Sequence, residues 1–340
     1  MNRTKGLLAM ASTYAAMLDS DASIEDRASE VLDALGKRVA SSASAICLWD
    51  PIQHRHLSIA NHGYPDEVMD HFNTWFVEHD PLFDAMRRRS LGALRWRDFP
   101  AYRTTYSVTG VFAPAGFDEG LSARLVTAEG NYAGTIHVNC DDPRYPSDND
   151  VDEINMLRLQ MAEHLDLSVR PRMVAELMGP EAQAWAVDRT GRAHLLRLGG
   201  QWDAPIDEAL VGEMASATVG GTTTRWHDGT GWLHVRHIGT APRFPQDSLH
   251  AVMLITRSAL PFGITPRELD ALTLAARGLT NNQIATRLFI SVRTAGHHLE
   301  SATAKLGASN RASCVSQAMS WGLLSGRMLR DLDTHGVASG

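Results

Sequence analysis

Fifteen histidines and three cysteines are the side chains of this 340-residue sequence best suited to hold a metal or activate a nucleophile. Their spacing supports neither. His234 and His237 fall in a β-type pattern and project to opposite sides of a strand, and His54 and His56 straddle a turn. No HxxxH on a helix and no Cys/His cluster occurs, so a zinc centre is not expected. A single histidine, His79 or His137, remains a candidate axial ligand for haem. No GxSxG, Walker A or GxGxxG pattern occurs, and the chain is read as a non-enzyme. Cys47, Cys140 and Cys314 are odd in number and remote, with no CxxC, which fits a reducing cytoplasm. Cys47 and Cys140 sit in predicted strands as small buried hydrophobes.

Charge is the more informative property. The net charge is −7, yet residues 261–327 carry seven basic and three acidic side chains, leaving −11 on the rest. A basic module on an acidic body is the electrostatic signature of a DNA-binding appendage. Within it, a predicted helix after Ser291 has Val292, Ala295, Leu299, Ala302 and Leu306 on one face, expected to pack inward. The opposite face shows Arg293, His297, Glu300, Ser301 and Ala304, narrow enough for a major groove. Arg293, Thr294, Lys305 and Asn281 are placed to touch phosphate, which fixes register without reading sequence. Glu300 reads either as an acceptor for a cytosine amine or as a solvated charge that repels phosphate. Gly296 lets the backbone approach DNA closely, and Ser291 and the His297-His298 pair complete the candidate DNA-binding set.

The elements that position this face are legible. Thr265-Pro266-Arg267-Glu268 and Thr280-Asn281-Asn282-Gln283 are capping boxes that open two helices. Ser291 caps the third helix, Gly307 ends it, and a fourth runs from about Arg311 to Leu323. Four short helices with a tight turn before the third describe a helix-turn-helix. Ile264-Thr265-Pro266-Arg267-Glu268, Gly278-Leu279-Thr280-Asn281, Leu288-Phe289-Ile290-Ser291, Arg293-Thr294, His298 and Lys305-Leu306-Gly307 closely resemble the LuxR-type helix-turn-helix domain. The resemblance implies a transcriptional regulator that reads double-stranded DNA with its third helix, usually as a dimer. The sequence departs from the family at Gly296, where a basic residue is common, and at Glu300.

Ahead of this module the pattern reads helix 24–41, strands at 44–49 and 56–62, and helix 64–89 broken at Asp80-Pro81. A hairpin at 121–139 and a long helix at 148–167 follow. Ten of the 23 aromatic residues lie in residues 72–117, where an even spread would put about three. Such a region lines a ligand cavity or fills a core. Phe72, Trp75, Phe76, His79, Asp80 and Trp96 are the candidate binding set for an unidentified small-molecule effector. His79-Asp80-Pro81-Leu82-Phe83, Pro114 to Glu119, Gly134-Thr135-Ile136-His137 and Ser147-Asp148 resemble the GAF-like sensor domains that precede LuxR-type domains. Tyr64-Pro65, Asp80-Pro81 and Trp96 also partly resemble the autoinducer-binding domain of quorum-sensing regulators, where an aspartate holds the ligand amide. The aromatic positions expected upstream of that aspartate are Glu67 and His71 here.

Residues 171–258 read as five short strands and one helix, similar to a small PAS-like domain. The fold class expected is therefore multidomain α+β. It comprises an N-terminal helix (1–23), a GAF-like sensor (24–170) and a PAS-like domain (171–258). An all-α four-helix LuxR-type module (259–327) and a flexible tail (328–340) complete it. Leu7, Met10, Tyr14, Met17 and Leu18 suggest that the first helix is a surface or dimer-seam helix rather than a signal peptide. No apolar run reaches the ~18 residues of a membrane span. Together these features describe a cytoplasmic, homodimeric, ligand-responsive DNA-binding regulator, with a haem or redox sensor and an acyl-homoserine lactone receptor as alternatives.

Overall fold

The computed structural model describes residues 12–89, 92–176, 179–200, 202–217 and 221–335. Two compact units emerge: Met1–Arg170 with Arg243–Asp247, and Pro171–Pro242 with Ser248–Gly340. The helical stretch over residues 12–18 buries Tyr14 and Leu18, while Leu7 and Met10 lie outside the described residues.

In the first unit, Ser23 accepts a hydrogen bond from the Asp26 amide and starts α1 (Ile24–Gly36), which buries Ile24, Ala28, Val31, Leu32 and Leu35. Five antiparallel strands follow in the order β2-β1-β5-β4-β3: β1 (Ala43–Asp50), β2 (Arg55–His62), β3 (Leu94–Arg95), β4 (Glu119–Val126) and β5 (Tyr132–Cys140). The interior strand β1 directs alternate side chains into two cores. Ile46 and Leu48 face α1 and the long helix α5 (Asp148–Leu165), whose Ile154, Leu157 and Met161 are buried with them. Ala45 and Cys47 face the second core, built from α2 (Asp66–Asn73), α3 (Trp75–His79), α4 (Pro81–Arg89) and the segment before β4. That segment, read from sequence as a connection, is two 3-10 turns (Trp96–Asp98 and Pro100–Thr104) and a π-helical turn (Ser107–Phe112). The helix expected at 64–89 breaks at Thr74 as well as at Asp80.

The second unit begins within α6 (Val169–Glu176), and its sheet has the order β7-β6-β10-β9-β8, again antiparallel throughout. The strands are β6 (Gln183–Asp188), β7 (Ala193–Arg197), β8 (Thr223–His227), β9 (Trp232–Gly239) and β10 (Leu249–Arg257), with α7 (Glu208–Ser216) over one face. Five helices follow: α8 (Pro266–Ala276), α9 (Asn281–Leu288), α10 (Val292–Lys305), α11 (Arg311–Ser320) and α12 (Gly326–His335). The expected flexible tail from residue 328 is therefore corrected. The chain stays helical to His335, and Leu329 and Leu332 are buried. Residues 336–340 lie outside the described residues.

The helical module is also bonded to the edge of this sheet. The Arg225 amide donates to the Leu324 carbonyl at 2.7 Å, and Arg225 bridges Ser325 at the β8 edge. Gly326 lies so close to the Trp226 indole that a Cβ there would sit 1.7 Å from Nε1, so only glycine fits.

Candidate nucleic-acid interface

Local sequence dictates the helix-turn-helix. Thr265 accepts from the Glu268 amide while Glu268 accepts from the Thr265 amide, and Thr280 and Gln283 repeat the arrangement on α9. Phe289 closes α9 at φ 54, a left-handed backbone that turns the chain sharply, and Ser291 then caps α10 through the Thr294 amide. Ala295, Leu299 and Ala302 are buried with Leu269, Leu272, Ile284 and Leu288. This packing fixes which side of α10 meets solvent.

The solvent side carries Arg293, His297, Glu300 and Ala304. Arg293 has no polar partner among the described residues. His297 Nδ1 lies 3.5 Å from Glu300 Oε2, a pair formed when the histidine is protonated. Ser291 is exposed as the cap, and Thr294, Gly296 and His298 are half-buried along the same edge. A Cβ at Gly296 would meet only Asn281 Nδ2, at 3.7 Å, so packing does not require glycine there. Asn281 is held by Arg311, whose guanidinium donates to Asn281 Oδ1 and the Leu279 carbonyl.

Three expectations change. Val292, expected inside, is 47% exposed at the first turn of α10. Lys305, expected as a free phosphate contact, donates from Nζ to both Glu268 oxygens (2.9 and 2.7 Å) and to the Gly263 carbonyl (2.8 Å). Ser301 turns the same way and donates to Glu268 Oε1 at 2.6 Å. Burial would raise the Glu268 carboxyl, but the hydrogen bonds from Lys305, Ser301 and Thr265 override it and hold its pKa at about 2. Sequence reasoning saw Glu268 only as a capping residue. Its spare carboxylate capacity, and two donors one turn apart on α10, were the signal for this clasp.

The aromatic candidates of the first unit separate into two groups. Phe72, Phe76 and Trp96 are fully buried and belong to one core cluster with Tyr102 and Phe112. Asp80 is buried with them, and all its acceptor positions meet the chain's own donors. Tyr102 Oη and Ser107 Oγ donate to Oδ2, and the Leu82 and Phe83 amides donate to Oδ1. Burial raises its pKa against these bonds. Trp75 and His79 lie outside this core, stacked on one another at 5.5 Å. His137, the other haem candidate, is completely buried, stacked 3.7 Å from Phe72, with ring nitrogens 2.9 Å from Ser122 Oγ and 2.8 Å from Thr135 Oγ1. Neither nitrogen is open to an axial iron. Burial pushes the Cys47 thiol up to about 12, as expected of an inert interior cysteine. Among the described residues no group of three His, Cys, Asp or Glu is arranged to hold a metal, and no helix is long and apolar enough to cross a membrane.

Known proteins resemble this chain chiefly through the helical module. The sequence profile of bacterial regulatory proteins of the luxR family matches residues 263–318. An HTH-type transcriptional regulator of Mycobacterium bovis is 46% identical over 55 residues, 16% of this chain and 6% of that protein. The HTH-type quorum sensing-dependent transcriptional regulator VjbR of Brucella ovis is 44% identical over 61 residues, 18% of this chain and 24% of that protein. These matches thus span a quarter or less of their relatives' length. Among solved structures, Escherichia coli SdiA aligns with 93% of this chain and 98% of its own at 13% identity and a TM-score of 0.37. A GAF domain of a phosphoenolpyruvate-protein phosphotransferase from Coxiella burnetii aligns with 49% of this chain and 96% of its own at 12% identity and a TM-score of 0.38. The matched residues coincide with the capped helices built above, and the chain therefore carries a helix-turn-helix domain of the luxR family of bacterial regulatory proteins.

Proposed function

We propose that the protein is a cytoplasmic, non-enzymatic transcriptional regulator that binds operator DNA as a homodimer through α10, under control of a small molecule bound by its first unit. The observation that carries the reading is the solvent face of α10, where a free Arg293 stands beside His297 and Glu300 on a helix that Ser291 caps and α8 and α9 support. Two half-sites supply phosphate contacts that one such module lacks. Sedimentation of the protein with operator DNA tests the dimer: a monomer at micromolar concentration in both states counts against it.

Two substitutions test the interface. Arg293→Ala removes one phosphate contact and lowers affinity about equally on cognate and scrambled duplexes, reducing the salt slope by about one unit. Glu300→Ala has a diagnostic sign. If the carboxylate accepts from a cytosine amine, the change costs roughly 1–3 kcal/mol on the cognate site and relaxes preference at one base pair. If Glu300 only repels phosphate, affinity rises on all DNA. Fluorescence anisotropy at fixed salt on both duplexes reads the difference, and an Arg293→Ala protein with unaltered affinity and slope would remove α10 from the interface.

A further inference from the structure

We propose that an open cleft of the first unit, between α2 and the π-helical turn, binds a protonated primary amine whose apolar body lies against Trp75 and Tyr106. This rests on the reading of the first unit as the effector-binding part, and it names the ligand class.

The cleft is about 680 Å³, within the range of small-molecule sites. Its charge is one-sided. Asp66, Glu67 and Asp70 line it, and no lysine or arginine does. None of the three carboxylates has a side-chain partner among the described residues. Asp66 and Glu67 stand in the first turn of α2, where a helix dipole favours acids. Asp70, a turn further on, gains nothing from that dipole.

The opposite wall is aromatic. Tyr106 is 57% exposed, unusual for so large an apolar ring, and its centroid lies 5.1 Å from that of Trp75. The ring lies over Gly110, where a Cβ would come within 2.6 Å of it. Glycine thus allows the ring to lie down as a wall. Aromatic faces attract cations as well as apolar surface.

His71 supplies a third and independent observation. Its side chain is buried to 6% exposure, yet it belongs to the lining of the cleft. With Asp80 ionised, Ser107 Oγ gives its only proton to that carboxylate, and the contact of 3.1 Å between Ser107 Oγ and His71 Nε2 then places the ring proton on Nε2. Nδ1 is then a bare acceptor, and it has no partner among the described residues. Burial holds the ring neutral, with a pKa lowered to about 4. An ammonium N–H satisfies Nδ1 while its charge meets the carboxylates. A neutral alcohol leaves the carboxylates unpaired, a quaternary ammonium has no N–H to give, and an anion is repelled.

Titration calorimetry of the full chain at pH 7.5 tests this with 2-phenylethylammonium, its N,N,N-trimethyl analogue and 2-phenylethanol. The primary amine is expected to bind saturably, the trimethyl analogue more weakly, and the alcohol at least ten-fold more weakly. Asp70→Asn, a change at an exposed position that leaves folding alone, is expected to weaken the amine about ten-fold, and Trp75→Ala checked by circular dichroism to weaken all three. No saturable binding of the amine at millimolar concentration, equal binding of the alcohol, or an undiminished Asp70→Asn overturns the proposal. DNA anisotropy with and without the amine separates the two readings. Binding without an effect on DNA supports the cleft and removes its role in control, whereas operator binding with no amine binding removes the cleft alone.

Discussion

Glu268 is bound at once by its own helix start and by the far end of α10. It accepts the Thr265 amide and the donors of Ser301 and Lys305 while 5% exposed. Removing one partner of a buried carboxylate leaves its desolvation uncompensated. Lys305→Ala is therefore expected to lower the stability of the helical module by about 1–3 kcal/mol, seen as a lower urea midpoint, while leaving the salt slope of DNA binding unchanged. A reduced slope with unchanged stability would return Lys305 to the phosphate backbone. The helical wheel of α10 showed direction but not reach. It separated Ala295 and Leu299 from Arg293 and Glu300 correctly. It could not show that Ser301 and Lys305, on the flank, meet an acid from α8 that lies 37 positions earlier in sequence than Lys305. Val292 was misplaced for a related reason: at the first position of α10 no preceding turn covers it.

At the level of elements, legibility followed the range of the forces involved. The capping boxes at Thr265 and Thr280 and the cap at Ser291 are local signals, and the helices they announce lie where the sequence placed them. The segment between α4 and β4 was not legible. Its π-helical turn is held by Ser107 reaching Asp80 and His71, contacts that no local propensity encodes. The aromatic excess there was visible, but whether rings fill a core or line a cavity depends on how tightly distant elements close over them. α12 replaces the expected tail, and Gly326 at its start is small to let Trp226 approach. That helix is structural: Leu329 and Leu332 are buried, and Arg287 donates to the Asp331 carbonyl at 2.8 Å. A fragment ending at residue 327 is therefore expected to be less stable than one ending at 335 by about 3–6 kcal/mol, the burial of two leucines. Equal urea midpoints for the two fragments would show that α12 contributes nothing.

Across the whole molecule, acid sensitivity is unevenly distributed. The first unit holds three interior histidines: burial lowers His56 and His71 to about 4 and His137 well below its ordinary 6.5. Folded, they stay neutral at pH 5, but unfolded they take up protons near pH 6.5. Unfolding thus consumes protons, and stability falls as pH drops from 6.5 toward 4. Asp80, raised by burial, works in the opposite direction, but it is one group against three. In the second unit burial, with the nearby Arg225 and Arg236, lowers His234 to about 4 as well. The clasp of the helical module behaves differently again. Glu268, held at about 2 against an ordinary 4.5, keeps its stabilisation above pH 4.5 and loses it only as pH falls through 2. Asp270, raised by burial, adds no acid lability there. Hydrogen exchange by mass spectrometry at pH 7.5 and 5.0, corrected for intrinsic rates, should show protection falling in β1 and β5 while α8 and α10 keep theirs. Strands as protected at pH 5.0 as at 7.5 would mean that the three histidines are not neutral inside the fold, and equal losses in α8 and α10 would mean that the module does not hold its acid stability through Glu268.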